Sequence, residues 1–318
     1  MPVLPGLQVI LDAVNASPPP PEGLSVAEAR DNAHAMMAMS FGATQDDGPP
    51  VKEQHEHRVA VDGGEIAVRV YVPEGVGPFP CHVYFHGGGF WLGNLEMSDA
   101  SCRATAVGAG CIVASVDYRL APEVKFPVPA EDCFTALTWV VDHAADLDID
   151  TTRISVGGGS AGGNLAAVVS LMARDRGGPS IILQVLEIPV TDLTMSQESV
   201  RSNGVGFLLT THSIEQYTSY YLADPADATN PYASPLLADD LSGLPPAVVM
   251  TAELDPLRDE GEAYARRLAE AGVPVQATRW DGQFHGSQMM AKLIPEESAA
   301  YHAAVVATLR EAYGNPLT

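Results

Sequence analysis

Long apolar runs are missing from this 318-residue chain. No stretch approaches the roughly 20 consecutive apolar residues that a membrane-spanning helix requires. The opening segment, MPVLPGLQVILDAV, lacks the basic start and the cleavage pattern of a secretory leader, so the protein is expected in the cytoplasm. Basic residues are scarce too: 17 Lys and Arg stand against 40 Asp and Glu, a formal charge of −23. Such a surface repels nucleic acid and anionic membranes, and leaves a small neutral molecule as the expected partner. There are only four cysteines, Cys81, Cys102, Cys111 and Cys133, with no CxxC pair among them. Each lies in or near an apolar run, which argues against a zinc site or a disulfide framework and for buried free thiols. Internal repeats are absent, and the sole low-complexity segment, Pro18 to Pro21, is expected to be a stiff extended connector.

What is present fits a compact α/β protein. Apolar residues make up 46% and charged residues 18%, in a chain long enough to bury a large core. Leu7, Ile10, Leu11 and Val14 fall at helical spacing, and Ser25 with Glu28 forms a capping-box pattern that opens a helix through about Met39. Met36, Met37 and Met39 on that helix suit either ordinary core or the wall of a lipophilic pocket. His57–Val61 and Ile66–Val72 alternate around Asp62-Gly63-Gly64 as an antiparallel hairpin. Six short apolar runs follow: Cys81–Phe85, Cys111–Val116, Ile154–Val156, Ile181–Ile188, Ala247–Ala252 and Val275–Trp280. Helical stretches such as Ala161–Arg174 and Arg258–Ala271 separate most of them, the pattern of a parallel sheet with helices on both faces. The segment from about Gln197 to Asp224 interrupts this alternation, and an inserted helix there would join the N-terminal helices as a lid.

Chemistry concentrates in Arg153-Ile-Ser-Val-Gly-Gly-Gly-Ser-Ala-Gly-Gly-Asn-Leu-Ala-Ala167, where Gly158, Ser160 and Gly162 make G-x-S-x-G. An apolar strand ends just before it and an Ala/Leu/Val-rich helix begins just after. That is the context of a nucleophile elbow, in which small residues allow a strained turn presenting the serine above the sheet. A phosphate-cradling glycine loop is the competing interpretation, but the Lys-Ser/Thr ending is absent. His86-Gly87-Gly88-Gly89 follows another strand, and its glycine amides could approach a developing oxyanion closely. The amides of Gly88, Gly89 and Ala161 are the candidate oxyanion hole. Among nine histidines, His285 sits in a loop just beyond a late strand, on the same sheet edge as the elbow, and is the candidate base. Asp255, at the end of the preceding strand, is the candidate carboxylate, with Glu253, Asp259 and Asp281 as rivals.

These pieces resemble the bacterial hormone-sensitive-lipase family of carboxylesterases. The matching segments run in order: His86-Gly-Gly-Gly-Phe90, Asp117-Tyr-Arg-Leu-Ala-Pro-Glu123, Gly158-Gly-Ser-Ala-Gly-Gly-Asn-Leu-Ala-Ala167, Pro189-Val-Thr-Asp192, Ser234-Pro-Leu-Leu, Asp255-Pro-Leu-Arg-Asp-Glu-Gly261 and Phe284-His-Gly286. The resemblance implies an α/β-hydrolase fold with a mostly parallel sheet of about eight strands. Residues 51–196 and 227–318 would form the core, and residues 1–50 and 197–226 a helical cap. It also implies hydrolysis of short- to medium-chain acyl esters without metal or cofactor, and it permits a homodimer. Phe90, Trp91, Phe207, Leu208 and Leu209 are candidate pocket residues. Two departures stand out: Gly159 occupies a position where the family usually carries Asp or Thr, and His285-Gly-Ser lacks the large apolar residue often found there. A peptidase or amidase on the same fold, and a small-molecule binding protein on a hydrolase scaffold, are the alternatives.

Overall fold

The structure, a computed structural model, describes residues 2–16, 23–40, 44–45 and 47–314. The expected Pro18–Pro21 connector lies outside these residues, as do the side chains of Met36 and Met39. Eight strands form one sheet: β1 (Glu53–Val61), β2 (Gly64–Val72), β3 (Phe79–Phe85), β4 (Ile112–Asp117), β5 (Ile149–Gly159), β6 (Leu183–Glu187), β7 (Ala247–Ala252) and β8 (Val275–Trp280). Their order across the sheet is β1-β2-β4-β3-β5-β6-β7-β8. The β1–β2 and β2–β4 pairs are antiparallel, and every pair from β4 to β8 is parallel. This is the mostly parallel sheet that the strand–helix alternation predicts, with the eight strands that the resemblance implies.

Nine α-helices complete the described residues: α1 (Pro5–Ala16), α2 (Val26–Ser40), α3 (Leu95–Ala109), α4 (Val128–Asp142), α5 (Ala161–Arg176), α6 (Glu198–Ser202), α7 (Thr211–Tyr221), α8 (Arg258–Glu270) and α9 (Pro295–Ala312). Helices α4, α5 and α8 pack in the larger core on one face of the sheet, and α3 and α9 in a second core on the other. With helices on both faces, the central strands are apolar almost throughout; every residue of β7 is buried. Helix α5 is buried along its whole length from Ala161 to Ala173. It is accordingly apolar all round, with small residues that bring it close to the sheet.

Two strands run further than their apolar runs. In β1, residues 53–56 are exposed. An edge strand needs only hydrogen bonds to β2 and no burial there, so the alternation marks only its inner end. In β5, Asp150 to Arg153 precede the buried part and extend it as a polar tail. The capping box at α2 forms, with Ser25 N donating to Glu28 Oε2 at 2.9 Å and Glu28 N to Ser25 Oγ at 3.3 Å. Helices α6 and α7 fill the interruption between β6 and β7.

Two cations fasten the outer helices to one core loop. Arg30 of α2 donates to Trp91 O and Ala121 O and pairs with Glu123 at 2.6 Å. Lys125 donates to Ser219 O, Tyr220 O and Leu222 O at the C-terminal end of α7, where free carbonyls attract a positive charge. Within the sheet, the ring of His82 in β3 is buried and hydrogen-bonded to Ser155 Oγ of β5 at 2.8 Å. Burial holds this imidazole neutral, with its pKa lowered to about 4. In the unfolded chain it takes a proton near the ordinary value of about 6.5. Stability contributed by the neutral ring is therefore complete above about pH 6.5 and is lost as pH falls towards 4. The unfolding midpoint should drop over this window, and the slope should flatten in His82→Gln; equal slopes would exclude His82 as a source.

Candidate active site

At the junction of β5 and α5 the chain turns sharply through Ser160, whose backbone has φ 58° and ψ −117°. A residue with a Cβ is strained there and stays only because its surroundings fix it. Ser160 N donates to Glu187 O at 2.8 Å, and Ser160 O accepts from Asn164 N and Val190 N. A Cβ on Gly158 would stand 2.3 Å from Phe85 O, and one on Gly162 would stand 1.9 Å from the same oxygen. Only glycine lets strand, turn and helix approach this closely. Gly159 is different: a Cβ there would meet nothing nearer than Tyr84 Oη at 3.9 Å. Its lack of a side chain leaves open space instead of relieving a clash.

Ser160 Oγ lies 2.9 Å from His285 Nε2, and His285 Nδ1 lies 2.7 Å from Asp255 Oδ2. With Nδ1 donating to the carboxylate, Nε2 is left to accept from the serine hydroxyl. Asp255 is 1% exposed, and its second oxygen accepts from Leu257 N at 2.8 Å, so both oxygens are engaged and the carboxylate is fixed in plane. Asn203 holds the loop from behind by donating to Asp255 O and Glu253 O. The rivals are used elsewhere or face solvent. Glu253 accepts from Gly282 N, Asp259 accepts from Ser199 N and Arg258 Nε, and Asp281 is exposed.

Gly88 and Gly89, beyond the end of β3, adopt positive φ, 121° and 60°, and line the same cavity as Ser160. A Cβ on Gly88 would lie 2.0 Å from Leu92 O, and one on Gly89 would lie 2.5 Å from the Tyr217 ring. Among the described residues, the amides of Gly88, Gly89 and Ala161 donate to no protein acceptor, although Ala161 is wholly buried. His86 organises this loop. Its Nδ1 donates to Gly87 O at 2.8 Å, and its ring stacks on Tyr118 at 4.3 Å. Tyr118 Oη in turn donates to His86 O. Burial lowers the His86 pKa to about 4, which keeps the ring neutral.

These groups open into a cavity of about 970 Å³. Phe90, Leu208 and Leu209 line it, whereas Trp91 and Phe207 stand outside its wall. Trp91 is buried against Tyr217 and Tyr220, and Phe207 packs against the cluster of Leu7, Leu11 and Phe284. Sequence reasoning passed over Ile188, Ile214, Tyr217 and Leu257, which share the wall. It also passed over Glu187, whose side chain faces the cavity and whose carboxyl burial pushes up to about 7. A charged residue inside the apolar run Ile181–Ile188 is the signal that could have found it. No grouping of three or more His, Cys, Asp or Glu side chains among the described residues is placed to hold a metal ion.

Residues 82–289 match the model of the alpha/beta hydrolase fold family. The chain is 47% identical over 229 residues to the carboxylic ester hydrolase LipN of Mycobacterium tuberculosis, covering 70% of this chain and 61% of that protein. It is 39% identical over 301 residues to the carboxylesterase NlhH of the same organism, covering 93% of this chain and 92% of the relative. The hyperthermophilic esterase of the archaeon Pyrobaculum calidifontis superposes with a TM-score of 0.90 at 40% identity, covering 98% of this chain and 99% of that one. On these likenesses and its own fold, the chain belongs to the α/β-hydrolase family, in the hormone-sensitive-lipase branch that contains bacterial carboxylesterases.

Proposed function

We propose that this protein is a carboxylesterase in which Ser160 is the nucleophile, His285 the general base and Asp255 the carboxylate that orients it. The observation that carries this reading is the unbroken hydrogen-bonded path from Ser160 Oγ through His285 to Asp255, ending in a largely apolar cavity beside unengaged amides. A lone serine hydroxyl is a poor nucleophile near neutral pH, and the neighbouring imidazole removes its proton as the oxygen attacks the acyl carbon. The ester carbonyl oxygen becomes an oxyanion, held by Gly88 N, Gly89 N and Ala161 N. Asp255 stabilises the imidazolium meanwhile. His285 then protonates the departing alcohol, and water repeats the sequence on the acyl-enzyme to release acid and free serine. The substrates are small neutral esters of short to medium acyl length.

Helices α1, α2, α6 and α7 form a cap in this reading, supported by Val14, Met37, Leu209 and Ile214 lining the cavity from that side. The four unpaired, buried thiols and the absence, among the described residues, of a helix long and apolar enough to cross a membrane fit work in the cytoplasm.

Ser160→Ala should lower kcat on a short-chain chromogenic ester by at least about a thousandfold, and only wild type should take up a fluorophosphonate at Ser160. Comparable rates in the two proteins would remove Ser160 from the mechanism. Asp255→Asn, which keeps shape but loses charge, should cost about 10⁴-fold in kcat. Gly88→Ala should cost about 10²–10³-fold, because its methyl meets Leu92 O and displaces the donors; an unchanged kcat would exclude this loop from the oxyanion site.

A further inference from the structure

One wall of the cavity differs chemically from the rest. Glu187 ends β6 directly beside Gly159 of β5, and its carbonyl accepts from Ser160 N, so its side chain starts one strand away from the nucleophile. Gly159 contributes no side chain to the space between them, and the nearest neighbour of a Cβ there would be Tyr84 Oη. Tyr84, with Ser98 of α3 and Ser298, Tyr301 and His302 of α9, lines the same wall. Three of these polar atoms are buried without a hydrogen bond: Tyr301 Oη, Ser298 Oγ and His302 Nε2. Tyr301 and Ser298 are only 4% and 7% exposed. The Tyr301 hydroxyl faces Glu187 closely enough to ease its carboxyl down against the upward push of burial, yet short of a formed hydrogen bond.

Buried polar atoms are costly to leave unpaired, and an alkyl arm of a substrate would leave all of them so. A hydroxyl group both accepts and donates, so it can accept a hydrogen bond from Tyr301 or Ser298 and donate one to Glu187. An ammonium group only donates; it could pair with Glu187 and with the two hydroxyl oxygens but would leave both of their O–H donors unpaired. We propose that this lobe is a subsite for a hydroxyl carried by the substrate, with Glu187 as acceptor and Tyr301 as donor, so that the protein selects hydroxylated esters over plain ones. The proposal rests on the esterase reading above and names the substrate class within it. With its carboxyl pushed up to about 7, Glu187 is present both charged and neutral near neutrality, and a hydroxyl pairs with either form.

The test compares kcat/KM for ethyl butyrate, ethyl 3-hydroxybutyrate, 2-hydroxyethyl butyrate and 2-(dimethylamino)ethyl butyrate, protonated near neutrality, in wild type, Glu187→Leu, Glu187→Gln and Tyr301→Phe. Wild type should prefer one of the two hydroxyl esters over ethyl butyrate by about tenfold or more, and which one identifies the arm that enters the lobe. That ratio should fall about tenfold in Glu187→Leu, less in Glu187→Gln, and severalfold in Tyr301→Phe. Tyr301→Phe supplies the answer if the Leu variant does not fold. A wild-type ratio near one, a ratio that no variant moves, or equal losses on plain and hydroxyl esters would each overturn the subsite. A preference for 2-(dimethylamino)ethyl butyrate abolished by Glu187→Leu would overturn the hydroxyl assignment in favour of a cation. Failure of wild type to hydrolyse any of the four esters would instead sink the esterase reading, and the subsite with it.

Discussion

A single backbone conformation governs the rest of this molecule: the left-handed turn at Ser160, forced between a strand and a helix that are packed against each other. Strain of this kind is released unless neighbours over-determine the geometry. Here three backbone hydrogen bonds grip Ser160, and two glycines bring Phe85 O into a space where any methyl group would collide. The hydroxyl is thereby lifted out of the sheet, towards the loops that follow β3, β7 and β8. In an open α/β sheet the carboxyl ends of the strands face a common crevice, which explains why His285, 125 residues away along the chain, can meet the serine oxygen.

Convergence alone would not make Asp255 useful, because a buried carboxylate costs free energy unless it is paired. Its two oxygens are divided between Leu257 N and His285, so the negative charge is held before a positive one develops on the imidazole. Glu260, five residues further on in α8, is held differently. It accepts from the amides of Thr191 and Asp192 but is pushed well above the ordinary carboxylate range by burial. Two carboxyls a few residues apart thus sit in different surroundings, one between an amide and an imidazole, the other between two amides.

The sheet, the elbow and the loop glycines were legible because each obeys a local rule. Period-two alternation gave β2, near-continuous apolar runs gave the inner strands, and a glycine pattern between strand and helix gave the turn. The order Ser160, Asp255, His285 was legible for a similar reason, since strand ends can be counted along the chain. The cavity wall was not. Trp91 and Phe207 carry the same apolar character as Phe90 and Leu208, and only tertiary packing decides that Tyr217, Tyr220 and the Leu7 cluster cover them. Glu187 escaped for a different reason: its strand position follows from the sequence, but the neighbours Tyr84 and Tyr301 come from elements 103 residues before and 114 residues after it.

The two cations that fasten the outer helices share one attachment, the core segment from Ala121 to Lys125. Phe126 N also donates to Tyr221 O at 2.8 Å, and the Tyr221 ring stacks on Phe90 at 3.8 Å. An N-terminal helix and a helix inserted some 180 residues later therefore rest on a common anchor beside the loop glycines. Neither can swing away without tugging on the backbone that carries Phe90, next to Gly88 and Gly89. The positions of these two helices and the shape of the glycine loop after β3 are thus geared together: a displacement of either helix is passed on to Gly88 and Gly89.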